Sequence, residues 1–141
     1  MFTPSREEAR RFLIDAWARA RAGGPLSGLE ELASGIIALH PEYHPTLEAP
    51  DTSIDREWRP ESGETNPFLH LSLHLAVAEQ LSIDQPPGIR VQFERLCASR
   101  GDRHAALHGL IECLGEVIWH AQRHATPPDA ALYLACLKRQ R

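Results

Sequence analysis

Six segments of this 141-residue chain open on residues that cap or start a helix, and five of them close on one that breaks it, with apolar residues recurring between at steps of three and four. Ser5-x-x-Glu8 precedes Phe12, Leu13, Ile14 and Trp17, and Gly23-Gly24 follows, which predicts a first helix over 5–22. Ser27-x-x-Glu30 opens the stripe Leu29, Leu32, Ala33, Ile36, Ile37 and His40, and Pro41 stops it. Asn66-Pro67 caps a third helix running to about Ile83. Within it Leu69, Leu71, Leu73 and Leu75 alternate with His70, Ser72 and His74, as a strand would, but a stretch of about 17 residues between breakers is long for a strand. Pro86-Pro87 starts a fourth helix ending near Gly101, Asp102 caps a fifth to about Arg123, and Thr126-Pro127-Pro128-Asp129 opens a sixth. No hairpin signal interrupts the series. The expected fold is all-α, a single-domain helical bundle of about six helices over 1–141.

Between the second and third helices lies a long acidic loop. Residues 48–66 carry six acids against Arg56 and Arg59, a local balance of −4 that equals the net charge of the whole chain. A connection this long in a compact domain is usually functional or mobile, and Trp58 suggests that this one is pinned. The acidic balance argues against binding nucleic acid through phosphate contacts. No apolar run reaches the roughly 18 residues that cross a bilayer, so no membrane association is expected. Glu7, Glu8 and Asp15 among the first arginines do not read as a signal peptide, which points to a cytoplasmic protein. The three cysteines, Cys97, Cys113 and Cys136, show no CxxC spacing, and neither a thiolate metal site nor a disulfide framework is expected.

The histidines are more informative. All eight fall into pairs at i, i+4: His40/His44, His70/His74, His104/His108 and His120/His124. Random scattering would give roughly 0.4 such pairs when matches are counted rather than judged by eye. The spacing stands two imidazoles about 5–6 Å apart on one helical face, where both can reach one ion, although two ligands do not close a coordination shell of three or four. Facing then sorts the pairs. The line from His70 through His74 continues into Val77 and Leu81, so this pair sits on an apolar face. His104 and His108 lie about 40° and 80° from the apolar centre of the fifth helix and can point inward, with Glu112 on the border one turn further. Glu116 and His120 fall about 160° away, on the solvent side, and His124 turns further out. Pro41 and Pro45 break any regular helix between His40 and His44, but a rigid turn there could still present an imidazole. Gly115 should let a neighbouring element approach the fifth helix, and Trp17 and Trp119 should lie in the core.

The runs His40-Pro41-Glu42-Tyr43-His44, Gly63-Glu64-Thr65-Asn66-Pro67-Phe68-Leu69-His70-Leu71-Ser72-Leu73-His74 and Glu112-Cys113-Leu114-Gly115-Glu116, together with Gln80 through Arg90, resemble the small bacterial family named domain of unknown function 1841. The resemblance covers nearly the whole chain. It implies a bacterial, cytoplasmic, single-domain protein and brings no activity with it.

The functional expectation is a metal-binding helical bundle of unknown activity, its candidate ligands being His40, His44, His70, His74, His104, His108 and Glu112. Imidazole with carboxylate suits a divalent transition metal such as zinc, iron, manganese or nickel. An open coordination position would allow metal-dependent hydrolysis, with Glu116 or Glu42 as base. The alternative is a non-enzymatic interaction or scaffold protein, in which the histidines form a buried hydrogen-bond network and the 48–66 loop docks a protein partner. Oligomeric state is not legible in the sequence.

Overall fold

The computed structural model describes residues 5–141. It is all-helical, with no strand among the described residues. The helices are α1 (Arg6–Arg21), α2 (Gly28–Ala38), α3 (His44–Leu47), α4 (Pro50–Ser53), α5 (Pro67–Ile83), α6 (Ile89–Arg100), α7 (Arg103–His124) and α8 (Ala130–Arg139). Among the described residues there are therefore eight, not about six. The six expected from capping and periodicity are all present, and the two additions are single turns in the proline-rich stretch after α2. Pro45 and Pro50 each occupy the first turn of one, where a missing N–H costs nothing. Four residues are too few to show a period, so such helices leave no pattern to read. The 48–66 segment accordingly contains α4 and a 3-10 turn at Pro60–Ser62.

Internal contacts divide the chain into two compact units, Met1–Leu75 and Ala76–Arg141, with the division falling inside α5. In the first unit, Ser5 accepts from the Glu8 amide, and Ser27 with Glu30 completes a reciprocal capping box at the start of α2. The core of this unit gathers Leu13, Ile14, Ala16, Ala33, Ile37, Leu47, Phe68 and Leu71, with Trp17, Tyr43 and Trp58 packed against it. Leu47, fully enclosed, is the anchor that draws α3 in. Each such leucine contributes about 2 kcal/mol of burial.

The second unit packs α6, α7, α8 and the later part of α5. Ile89, Phe93, Leu96, Leu110, Leu114, Tyr133 and Leu137 are buried there, and the Tyr133 hydroxyl donates to Gln80 Oε1 at 2.8 Å. Arg100 joins three elements: its guanidinium donates to Ala105 O, Arg141 O and Gln140 Oε1. It lies so close to α7 that a Cβ on Gly109 would come within 3.1 Å of it. The glycine that admits a neighbour is thus Gly109. At Gly115, the expected position, a Cβ would meet nothing within 4 Å. Trp119 is also corrected: it is exposed on α7 with the Arg123 guanidinium 5.2 Å from its ring. Trp17 does pack on the core of its unit.

Cys113 and Cys136 form a disulfide between α7 and α8, their Cα atoms 5.8 Å apart, which corrects the expectation that the cysteines form no disulfide framework. No local motif announces this pair, because only the antiparallel return of α8 brings residues 23 apart in sequence together. Cys97 is the remaining free thiol. Protein denatured without reductant should therefore titrate a single thiol per chain, and all three after reduction. Opening a loop of this size should cost about 3 kcal/mol of stability. Three reactive thiols in oxidised, unreduced protein would contradict the pairing. No helix is long and apolar enough to cross a membrane among the described residues.

Candidate functional site

Six of the seven candidate ligands are histidines, and the structure distributes them among distinct environments. His40 follows the end of α2 and is buried. Its Nδ1 lies 2.8 Å from Ile36 O. A carbonyl can only accept, so Nδ1 carries the proton and the lone pair of the neutral ring is on Nε2. This is the arrangement in which metal-binding imidazoles are usually oriented by a second partner. Tyr43 stacks on the same ring, centroids 5.4 Å apart and planes almost parallel. Burial pushes the Tyr43 phenol up, with help from Glu42, so it stays neutral.

His44 has a different task. Its Nε2 donates to Ile37 O at 2.8 Å, and its ring packs on Trp17 at 4.4 Å. Trp17 in turn donates from Nε1 to Glu48 Oε2. His40 and His44 thus each add a side-chain bond to a carbonyl of the last turn of α2, where Ile36 O and Ile37 O already accept from the Leu39 and His40 amides. They do not share a helix: His40 precedes the 3-10 turn Pro41–Tyr43, and His44 starts α3.

His70 and His74 stand on one face of α5, ring centroids 4.9 Å apart, and both meet His40, at 5.1 Å and 4.6 Å. His74 is buried, as the helical phase predicts, and His70 is half-buried. Three imidazoles from two elements of the first unit therefore converge, and Tyr43 closes against His70 at 5.8 Å.

In the second unit, Asp102 caps α7 by accepting from the amides of His104 and Ala105. One turn on, His104 and His108 lie edge to face at 4.2 Å, both half-buried. Glu112 is exposed. His120 and His124 form a similar pair at 4.4 Å near the other end of α7, and both are exposed, in agreement with their phase. His40, His70 and His74 thus form a network within the first unit, and His104 and His108 form a pair within the second.

Sequence reading missed Arg10. It is buried, and its Nη1 donates to Ser53 O, Ile54 O and Arg56 O at 3.4, 2.9 and 2.8 Å. Its guanidinium also lies 5.2 Å from the Trp58 ring and 5.0 Å from that of Phe68, geometry in which a cation is attracted to the aromatic face. This is how the acidic segment is pinned. The signal was present: Arg10 shares its helical face with Leu13, Ile14 and Trp17 at steps of three, four and seven. Several of the segment's acids are also engaged: Glu48 with Arg21, Glu57 with Arg6, and Glu64 with Arg56.

An all-helical fold with a buried histidine network is the class that these features define. Within that class, the chain belongs to the family described as domain of unknown function (DUF1841), whose family model matches residues 5–139, nearly its whole length. No curated protein and no solved structure matches the chain.

Proposed function

We propose that this protein binds a divalent transition metal through its histidines, with His40 and His74 as the candidate donors of the first unit and His104 and His108 as those of the second. The observation that carries the reading is the convergence of the His40, His70 and His74 rings within the first unit, beside the edge-to-face pair His104 and His108 at i, i+4 in the second. Where four ligands fill the shell of a tetrahedral ion such as zinc, no position is left for a reactive water. An octahedral iron, manganese or nickel keeps further positions, which metal-dependent hydrolysis requires. His70 packs against the His40 and His74 rings and orients them. His44 serves α2 as a cap, and exposed Glu112 stands outside the candidate donors. The acidic segment, tied down by Arg10 and its own ion pairs, supports partner docking less well than the histidines support metal.

Protein purified without a histidine tag or chelator, then measured by elemental mass spectrometry, should carry about one equivalent of transition metal per chain. Traces that do not rise after supplementation would overturn the reading. The double variant His120→Ala with His124→Ala should keep its metal and shift stability by only about 0.5 kcal/mol, the scale of surface changes. Loss of metal in that variant would move the site to the far end of α7.

A further inference from the structure

The first unit contains a cavity of about 450 Å³ that the metal reading does not use, lined by Arg6, Arg10, Trp58, Asn66, Leu69 and Ser72 among others. Its volume is within the range of small-molecule sites. Arg10 is the distinctive wall. Its side chain is almost fully buried, yet no carboxylate among the described residues pairs with it. The three carbonyls on Nη1 leave Nε and Nη2 without a hydrogen bond to the described residues, and neither atom is sealed from solvent.

Buried guanidinium donors normally find an acceptor, and their fork geometry fits a carboxylate. The rest of the lining suits what such a ligand would carry behind its charge. Trp58 and Phe68 pack edge to face with centroids 5.7 Å apart, the guanidinium lies beside the pair at 5.2 and 5.0 Å from their rings, and Leu69 is largely exposed at the rim. The Asn66 carbonyl is engaged in capping α5 through Phe68 N and Leu69 N. Its amide N–H groups are donors of the kind that fix a polar ligand's orientation. The acid in the lining, Glu57, is a highly exposed partner of Arg6 at 3.8 Å, so solvent screens its repulsion.

We propose that this cavity is a binding site for a small organic carboxylate with an apolar or aromatic body, the carboxylate accepting from Arg10 and the body lying along Trp58 and Leu69. The site is independent of any metal.

The probe is sodium phenylacetate, titrated into 15N-labelled protein and followed by NMR. The Trp58 indole signal and the Leu69 and Ser72 amides should shift saturably, with a dissociation constant on the order of 1 mM, while the indole signals of Trp17 and Trp119 stay fixed. Neutral phenylacetamide and cationic benzylammonium keep the ring and lose the charge match. Each should bind at least ~10-fold more weakly, the worth of a charge-assisted hydrogen bond. Arg10→Lys should weaken phenylacetate similarly. Because that variant also loosens the 48–66 segment, the comparison among the three ligands on wild-type protein is decisive by itself. Linear shifts without saturation, or phenylacetamide binding as tightly as phenylacetate, would overturn the proposal.

Discussion

Removing the metal should lower the melting temperature by about 10 °C. A ligand bound only by the folded state stabilises it by about 4 kcal/mol when its free concentration is some 1,000-fold above the dissociation constant, and for a chain of this length each kcal/mol moves the midpoint by roughly 3 °C. The comparison is protein dialysed against a strong chelator with the same protein refilled, scanned at one concentration. His74→Ala should reproduce most of the loss and make the melt insensitive to added metal, because it removes one of the candidate donors. Acidification should strip the ion, since neutral imidazole is the binding form. If chelated and refilled samples melt together, the histidines are a hydrogen-bond network and the metal reading fails.

Arg10→Ala should destabilise the protein by about 4 kcal/mol, more than most single changes. The substitution removes the donor from three carbonyls of the 48–66 region and the cation from beside the Trp58 and Phe68 rings. Each carbonyl left buried without a partner adds about 1–3 kcal/mol. Arg10→Lys should recover less than half, because a single ammonium lacks the planar face that lies against both rings. Urea titration gives the magnitude, and limited proteolysis gives the location: the variant should be cleaved within 48–66 before anywhere else. A change below about 1 kcal/mol would show that the segment is held by its own ion pairs, which as surface pairs contribute little.

The long helices and their ends were legible because the forces that set them are local. Ser27 and Glu30 satisfy each other's amides three residues apart, and Asp102 and Asp129 reach amides two and three residues ahead. Helical phase is equally local. It separated His74, buried on α5, from His120 and His124, exposed on α7, although all three belong to pairs of the same spacing. It also places Arg10 on the apolar face of α1, with Leu13, Ile14 and Trp17.

Partnership between distant residues was decided only by the tertiary structure. The spacing of His40 and His44 looked like a chelate, but the chain turns at Pro41 and sends His44 back to Ile37 O as a helix cap. Cys113 and Cys136 meet only through the return of α8, and α3 forms around the enclosed Leu47 rather than from any pattern of its own. The physical reason is the range of the interaction. Capping and periodicity act within a turn or two and are written in neighbouring residues. What a buried imidazole, thiol or guanidinium touches depends on how segments far apart in the chain pack.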